Sequence, residues 1–527
     1  MKQSVAFCLL VIILIFLNTA CSTTRIVREF HDPIKLNSSQ IHNKSIKVHM
    51  TDGGLYLLDS LKAGNKTDTV SGYGSYFNQY RELIKTNISS TGYYFGPPFK
   101  IPMSGVALFE TNDATGLKKK VIAMTLIGVP TLLVSVYCII NPKSCFGSCP
   151  TFYAWDGKDT SLMAEGFSSS ILRSLEKRDI DMLYGAKSTG STFNLKVTNE
   201  ALETHIIKYA DLLVFPRSDC ERVFATEDGH FFRVSDIRSP SSCTAPEGDC
   251  MEKVEKMDRM ERFSEADPKN LIQKEYIEVE FKSVPDGKTG LIIGDRQTFM
   301  TTYLFYQSLA YLGNSAGNFA ARIESGDSSL LRRVNKVWDL LGGIEVSVCD
   351  ANGKWTKAGE IREMGPIAAD IHLIRLPETK TKYVKVRLEL TKGLWRIDWL
   401  ALARLDQLVE PIKISPSEVI AETKNNNYGK QFQLRDTLEP LVTLPGDSYK
   451  LVYDLPSPSR QYEFFLSSKG YYIEWMRESW LEEENHRKAA LLFGFPRIYM
   501  RMAAADFKKM EPGMEEMFWK SRYVKKD

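Results

Sequence analysis

The alternation of apolar and polar residues predicts a chain built mainly from β-strands. Residues 44–59 alternate on both sides of an Asp52-Gly53-Gly54 turn, which predicts a hairpin. Similar alternation predicts strands within 69–77, 101–110, 193–215, 276–294 and 382–405. Helical spacing of apolar residues occurs at 297–312, at 330–341 and after residue 471. The predicted fold class is therefore α+β, mainly β, with helices inserted among the strands and a helical C-terminus.

Changes in this pattern divide the chain into eight segments. They are a signal peptide (1–21), a polar tether (22–43), a small β module (44–117), an apolar segment (118–142), a β-rich domain (143–275), a β-sandwich with inserted helices (276–406), a linker with β-strands (407–470) and a helical C-terminal region (471–527).

The first 21 residues have the layout of a secretory signal. Lys2 gives a positive start, residues 5–17 are apolar, and Ala20 precedes Cys21. A cysteine in this place resembles the lipobox of bacterial lipoproteins, in which the cysteine is acylated and becomes the first mature residue. Asn18 departs from the leucine that is usual three places before the cysteine. The resemblance implies lipidation of Cys21 by palmitate-type acyl chains, and Ser22, in place of an acidic residue, implies the outer membrane. The alternative is an ordinary signal peptide with an incidental cysteine.

A second apolar run, residues 121–140, is long enough to cross a bilayer. If Cys21 is lipidated outside the inner membrane, a crossing here would put Lys118, Lys119 and Lys120 outside and the large body in the cytoplasm, against the positive-inside rule. Pro130 also divides the run into two halves. Two hypotheses remain open: a kinked apolar segment that packs on the protein or dips into lipid, and a true membrane span.

Composition and charge describe an ordinary folded protein. Of the 527 residues, 43% are hydrophobic and 25% are charged, and 68 basic and 65 acidic residues are interspersed, with a formal net charge of +3. Because no long basic tract occurs, nucleic acid is not expected to be a partner. No nucleotide-binding, zinc-protease or nucleophile-elbow motif is present, and neither a cofactor nor a metal is expected.

The cysteines of an exported protein meet an oxidising compartment. Cys145 with Cys149, and Cys243 with Cys250, are the closely spaced pairs that predict disulfides. Free thiols and, for the first pair, a metal site are the alternatives. A zinc site needs four ligands, and no histidine lies nearby in sequence.

Several residues are candidates for ligand binding or for catalysis. Aromatic and acidic residues lie together at two strand ends, where rings could stack on a sugar: Trp155 with Asp156, and Trp395 and Trp399 with Asp398. Each of these tryptophans also fits a purely packing role. Glu165, Asp295 and Asp398 are candidate carboxylates for glycoside hydrolysis, but they are isolated in sequence.

Three resemblances to known proteins add to this picture. The strand pattern of the small β module resembles five-stranded barrels of the Sm or SH3 type, and residues 276–405 resemble the jelly-roll sandwich of galactose-binding-like domains. As a whole, the chain is similar to a group of bacterial envelope lipoproteins for which no activity is established. The motifs that carry this similarity are VHMTDGGLYLLDS, NPKSCFGSCPTFYAWDG, VTNEALETH, GLWRIDWLALARL and GYYIEWMRESWL.

Two functional hypotheses follow. The first is a non-enzymatic, lipid-anchored envelope protein with a scaffold or ligand-binding role, whose partners would be the membrane and a glycan or another envelope protein. The second is a glycan-acting hydrolase of the cell envelope. An open cavity with paired acids would favour the enzyme, and completely filled sandwiches would favour the scaffold.

Overall fold

The computed structural model describes most of the chain after residue 148 and shorter stretches before it. The described residues are 25–31, 46–50, 54–63, 69–77, 83–88, 93–115, 149–201, 203–324, 326–362, 365–378, 383–422, 440–457, 460–474, 480 and 482–516. The signal peptide with Cys21, the apolar segment 118–142 and Cys145 lie outside them, so the predictions made there stay predictions. The chain divides into an N-terminal and a C-terminal unit, and each is considered by itself.

The N-terminal unit is one antiparallel sheet of seven strands. They are β1 Arg25–His31, β2 Ile46–Met50, β3 Leu55–Ala63, β4 Thr69–Phe77, β5 Leu83–Thr86, β6 Phe99–Pro102 and β7 Val106–Thr115. Their order is β1-β7-β2-β3-β4-β5, and β6 pairs with β4. The predicted hairpin is present as β2 and β3. β1 lies inside the segment predicted to be a tether and pairs with β7 along its whole length.

Alternating apolar residues form the core of this sheet. Ile46 and Val48 on β2 point to the same face as Leu58, Val70 and Phe109 on the neighbouring strands, and all five are almost completely buried. The apolar residues that alternate with polar ones in the sequence thus lie together on one buried face of the sheet.

The C-terminal unit contains the remaining strands. They are β8 Thr151–Trp155, β9 Thr160–Glu165, β10 Arg178–Met182, β11 Thr192–Thr198, β12 Glu203–Pro216, β13 Arg222–Ala225, β14 Phe231–Arg238, β15 Ser242–Ala245, β16 Gly248–Asp249, β17 Lys274–Phe281, β18 Thr289–Gln297, β19 Ile344–Cys349, β20 Trp355–Ile361, β21 Asp370–Arg375, β22 Val384–Thr391, β23 Trp395–Val409, β24 Ile412–Ile414, β25 Glu418–Ala421, β26 Leu441–Thr443, β27 Ser448–Asp454 and β28 Tyr462–Glu474.

These strands form four stacked layers. The first two are the sheets β25-β27-β11-β8-β9 and β10-β28-β12-β24, with β26 also pairing with β12. The third is a closed barrel, β13-β14-β23-β18-β21, and the fourth is the sheet β16-β15-β17-β22-β19-β20. A separate apolar core fills each of the three spaces between neighbouring layers. The α+β, mainly β class predicted from the sequence is confirmed.

The third and fourth layers form the predicted sandwich with inserted helices. The chain crosses between them from β17 to β18, from β18 to β19, from β20 to β21, and again before β22 and β23, as it does in a jelly roll. One of the two sheets closes into a barrel with β13 and β14, which precede residue 276, where the sandwich was predicted to start.

Five α-helices accompany the sheets in the part of the chain that the structure describes. They are α1 Met300–Leu312, α2 Ala316–Glu324, α3 Ser328–Leu341, α4 His486–Gly494 and α5 Pro496–Met510. Asp327 caps α3 by accepting a hydrogen bond from the Leu330 N–H at 3.0 Å, and Asn485 caps α4 in the same way. No helix among the described residues combines the length and the apolar character needed to cross a membrane.

The helical C-terminal region begins later than its apolar spacing indicates. Tyr471–Glu474 continues β28 and pairs with β12 from Glu203 to Ile206. The long β12 offers a complete ladder of backbone partners, and this tertiary pairing overrides the local helical pattern.

Candidate functional site

A cavity of about 620 Å³ lies where the β10-β28-β12-β24 sheet, the barrel and the helices α1 and α3 meet. Strand ends bring polar side chains to its wall: Glu165 ends β9, Asp179 lies on β10, and Asp370 begins β21. Helix α1 contributes Phe305 and Tyr306. The volume falls in the range of small-molecule binding sites.

The cavity wall carries more acidic than basic side chains. The acidic ones are Glu165, Asp179, Glu203, Glu227, Asp339, Asp370 and Glu474, and the basic ones are Lys177, Arg178 and Arg362, with His372 beside them. Aromatic rings complete the wall: Phe167, Phe305, Tyr306, Trp338, Trp395 and Tyr472. The wall therefore offers a ligand ionisable groups of both signs together with aromatic rings.

Three ionisable groups on two paired strands line the small recess beside the acidic wall. Asp295 on β18 lies directly opposite Asp370 on β21. The Nε2 atom of His372 is 3.6 Å from Asp370 Oδ2 and 3.9 Å from Asp295 Oδ2. Asp370 also accepts backbone N–H bonds from Met182 and Ile371, which fix its orientation.

Burial and mutual repulsion change the titration of these groups. Burial raises the pKa of Asp295 to about 7, although the nearby His372 opposes the shift. Burial also raises the pKa of Asp370. For His372, burial alone would lower the pKa, but the charges of Asp370 and Asp295 raise it above its ordinary value. Around neutral pH the cluster therefore shares protons among its members.

Glu165 and Asp179 form a second acidic pair in the cavity wall. Burial raises the pKa of Glu165 to about 7, and the charge of Asp179 adds to the shift. Burial, followed by the charge of Asp370, raises the pKa of Asp179 to about 7. Glu165 accepts a hydrogen bond from the Ile367 N–H at 2.9 Å, and Asp179 accepts one from the Phe167 N–H at 2.5 Å. Carboxyls that hold a proton near neutral pH can donate it to a ligand or a leaving group.

Several buried polar atoms at this site, Ser168 Oγ among them, make no hydrogen bond within the described part of the protein, and three of these atoms lie on the neighbouring strands β18, β21 and β23. They are Trp395 Nε1, His372 Nε2 and Asp295 Oδ2. Trp395 is 1% exposed and His372 is 7% exposed, and both line the cavity. Buried polar atoms are nearly always hydrogen-bonded in folded proteins, so these atoms indicate a place for ligand or water.

A recess of about 20 Å³ adjoins these residues. Asp181 and Asp295 line it together with Asp370, His372 and Trp395, which also line the main cavity. Its volume suits one water molecule among polar partners. Among the described residues, no group of His, Cys, Asp or Glu has an arrangement that could hold a metal ion.

The structure separates the five residues that the sequence offered for ligand binding. Trp395 lines the cavity, whereas Trp399 packs in the barrel core beside Tyr184 and Phe224, with ring centroids 5.9 Å away in each case. Asp398 accepts a backbone hydrogen bond from Arg259 at 2.9 Å.

Trp155 and Asp156 lie away from the cavity lining. Trp155 is 42% exposed. Asp156 organises a turn by accepting hydrogen bonds from Ser161 Oγ and from the backbone of Lys158 and Asp159, which lower the pKa of its carboxyl to about 2. These bonds give Asp156 a local structural role.

Of the candidate acids, Glu165 and Asp295 both line the small recess, whereas Asp398 does not. Cys149 lies in the cavity wall, and burial, with the charge of Glu165, raises the pKa of its thiol. Cys243 and Cys250 lie with their sulfur atoms 2.6 Å apart, without a covalent bond between them.

Sequence reasoning missed Asp179, Asp370, His372 and Glu203, although a signal is present. Three strands carry two ionisable residues at alternate positions in otherwise apolar surroundings: Asp179 and Asp181, Glu203 and His205, and Asp370 and His372. Alternate residues of a strand face the same side. A buried strand with two charges on one face indicates a polar site, because unpaired buried charges are costly.

Comparisons with known proteins give no family for this chain. No family model matches it, and no curated protein matches it. Among solved structures, the one described as "Crystal structure of BuGH86wt in complex with neoagarooctaose" has a TM-score of 0.15 at 6% identity, covering 43% of this chain and 33% of that one. Dimeric latent PorU from Porphyromonas gingivalis has a TM-score of 0.13 at 8% identity, covering 85% of this chain and 32% of that one. The chain thus spans about a third of each of these proteins, and TM-scores this low carry no argument about fold or function.

Proposed function

We propose that the protein is a lipid-anchored protein of the bacterial cell envelope that binds a hydroxyl-rich ligand, of the carbohydrate class, in the acidic cavity. The observation that carries this proposal is a set of buried polar atoms that make no hydrogen bond to any described residue, at a cavity and its adjoining recess: Trp395 Nε1, His372 Nε2 and Asp295 Oδ2. A ligand with several hydroxyls supplies both donors and acceptors to such atoms.

Carbohydrate suits this cavity better than other ligand classes. The aromatic rings in the wall could pack against the apolar side of a sugar. Protonated carboxyls such as those of Glu165 and Asp179 both donate and accept hydrogen bonds, as sugar hydroxyls require.

Calorimetric titration of the purified chain tests this proposal. The probes are cello-, chito- and malto-oligosaccharides and glycan strands released from peptidoglycan. We expect one class to bind, and Trp395→Phe to weaken its affinity about tenfold, because the ring stays while its hydrogen bond is lost. Trp155→Phe is the matched control and should leave the affinity unchanged. If no probe binds, or if both variants bind as the wild type does, the cavity assignment is wrong.

A glycan-acting hydrolase is the second candidate function, and the raised pKa of Glu165 favours it. A glycosidase needs one carboxyl that is protonated near neutral pH and a second carboxyl close by, and Asp179 would be the second. With end-labelled oligosaccharides, Glu165→Gln should lower cleavage at least a hundredfold while binding persists. If the wild-type protein binds the oligosaccharide without cleaving it, the hydrolase candidate is wrong and the ligand-binding function remains.

The membrane anchor is proposed to be an acylated Cys21. Two or three acyl chains bury many methylenes at about 0.8 kcal/mol each, far more than the marginal binding of one chain. Cys21→Ser should abolish labelling with palmitate. Density-gradient separation should place the wild-type protein in the outer membrane, and recovery in the inner membrane would overturn the assignment based on Ser22.

The segment 118–142 is proposed to leave the C-terminal unit on the exported side of the inner membrane. The reason is the position of the three lysines at 118–120, which a membrane span at 121–140 would leave outside the cytoplasm, against the positive-inside rule. A reporter that is active only after export, fused after Asp527, should therefore be active. Activity of a cytoplasmic reporter at the same position would show a true span.

A further inference from the structure

The N-terminal unit displays three consecutive aromatic residues on its surface. Tyr93 is 77% exposed, Tyr94 51% and Phe95 50%, and they form what we call the aromatic loop. Ile84, on the neighbouring strand β5, is 57% exposed. Consecutive large apolar side chains that are all exposed are unusual, because most folded chains bury such residues.

Hydrogen bonds centred on Asn87 hold the aromatic loop in this position. The buried Asn87 side chain accepts a bond from the Gly74 N–H at 2.6 Å and donates one to the Pro97 carbonyl at 3.0 Å. The Asn87 carbonyl accepts a bond from the Phe95 N–H at 3.0 Å. One ring is further supported, because Tyr94 stacks on Tyr73 with centroids 4.6 Å apart. The loop is thus built to present its rings, which removes much of the entropic cost of ordering them on binding.

Two lysines lie on the strands that precede and follow the aromatic loop. Lys85 is on β5 and Lys100 is on β6. Lys85 and Lys100 are exposed. Such a surface is complementary to anionic lipid headgroups.

The chain length from the proposed anchor limits where this unit can lie. β1 begins at Arg25, four residues after Cys21. Four residues span at most about 14 Å when fully extended. A protein acylated at Cys21 therefore holds the Arg25 end of β1, and with it the N-terminal unit, close to the bilayer.

We propose that the aromatic loop inserts into the lipid headgroup region and is a second membrane contact of the N-terminal unit. Tyrosine rings are favoured at this depth, because the ring body is apolar and the hydroxyl stays in contact with water. Phe95 and Ile84 add apolar area, and the lysines add attraction to anionic lipid. The inference rests on the proposed anchor at Cys21 for its choice of lipid as the occupant.

Photo-cross-linking in the full-length protein tests the proposal. Tyr93 or Phe95 is replaced by p-benzoyl-phenylalanine, and the purified protein is reconstituted in vesicles of phosphatidylethanolamine and phosphatidylglycerol. We expect phospholipid adducts at both positions at least fivefold above those at Tyr276, a control in the C-terminal unit that is 47% exposed. Vesicles without phosphatidylglycerol should give fewer adducts, because the lysines lose their partners.

The outcomes separate this proposal from the anchor. Palmitate labelling of the same preparation reports the anchor independently. Labelled protein without lipid adducts above the control overturns the loop proposal and leaves the anchor intact, and adducts without labelling support the loop while the anchor fails. Adducts to a second copy of the chain or to another protein, in place of lipid, also overturn the loop proposal.

Discussion

Two clusters of buried charge lie in the C-terminal unit, and they are compensated in opposite ways. Arg262 has no exposed side-chain surface, and its guanidinium donates two hydrogen bonds to Glu247 at 2.7 and 2.8 Å and one to Glu275 at 2.7 Å. In the cavity wall, Asp295 and Asp370 share His372 at 3.6 to 3.9 Å, and Asp295 Oδ2 has no hydrogen-bond partner among the described residues.

The difference separates a structural ion cluster from a candidate site. Arg262 binds Glu247 with bidentate geometry and donates one bond to Glu275 Oε1, whereas Glu275 Oε2 has no hydrogen-bond partner among the described residues. The N–H and C=O groups of Arg262 pair with Ile397, so the cluster joins two segments of the fold. Asp295 and Asp370 instead have His372 as their nearby cation, and burial raises the pKa of both carboxyls. Buried acidic groups beside an open cavity lower the stability of the fold, and a ligand that forms hydrogen bonds with them can offset this cost.

The largest expected effect follows from breaking the compensated cluster. Arg262→Met leaves Glu275 buried without its cation, and we expect the free energy of unfolding to fall by about 3–5 kcal/mol. Urea unfolding at pH 7 measures it. Arg404→Met is the matched control, because Arg404 forms an exposed pair with Asp406, and it should cost about 1 kcal/mol or less. Equal losses in the two variants would contradict the comparison.

The second prediction concerns the pH dependence of the uncompensated cluster. Native Asp295 holds its proton up to about pH 7, whereas an unfolded aspartate releases it near pH 4. The native state therefore binds more protons in this window, and the free energy of unfolding falls as the pH rises from about 4 to 7. Asp295→Asn carries no titrating group and should remove about 2–4 kcal/mol of this fall.

Urea unfolding at pH 5 and pH 8 measures this difference. The other cavity groups with raised pKa values, including His372, change stability in the same direction, so the variant is compared with the wild type at both pH values. Asp219→Asn, at an exposed position, is the control. A variant that retains the full pH dependence of the wild type would show that Asp295 is ionised in the native state.

The third prediction concerns Cys243 and Cys250, both of which are buried. Their sulfur atoms already lie in contact, so export into an oxidising compartment should join them. Closing so short a loop is expected to contribute about 2 kcal/mol. Peptide mapping without reduction detects the bond, and unfolding with and without dithiothreitol measures its effect. The double variant Cys243→Ala, Cys250→Ala should lose the part of the response to the reductant that this bond accounts for, and any response that remains reports the predicted bond between Cys145 and Cys149.

The sequence predicts the architecture better than the site, for a physical reason. Strand alternation is local, so β2 and β3, β22 and the helices α1 and α3 follow from the order of residues alone. The site depends on pairing between distant strands. Asp295 meets Asp370 only because β18 pairs with β21, and β18 shifts register against β23 at Gly294 and Asp295.

The limit of prediction from sequence is clearest at Trp395 and Trp399. They lie on one strand at a spacing that predicts the same face. Trp395 pairs in register with Gln297 and Trp399 with Gly294, on opposite sides of the register shift. The first reaches the cavity and the second the barrel core. The unpaired residue of this bulge is Asp398, in β23 itself between the two tryptophans. The bulge is set by tertiary structure, and the period of two in the sequence does not contain it.

The smallest expected effect is at Asp398, a buried carboxyl that belongs to neither cluster. Its oxygens accept backbone N–H bonds from Asp258 at 3.4 Å and Arg259 at 2.9 Å, and they hold Arg259 in a left-handed conformation at φ 69°. Asp398→Asn keeps one acceptor and the side-chain shape, so we expect a loss of about 1 kcal/mol in urea unfolding. Because Asp398 does not line the cavity, the variant should bind any oligosaccharide that the wild type binds with unchanged affinity. A loss of affinity as large as that of Trp395→Phe would place the ligand on the Asp398 side of β23 and would contradict the division between structural and ligand-facing charge.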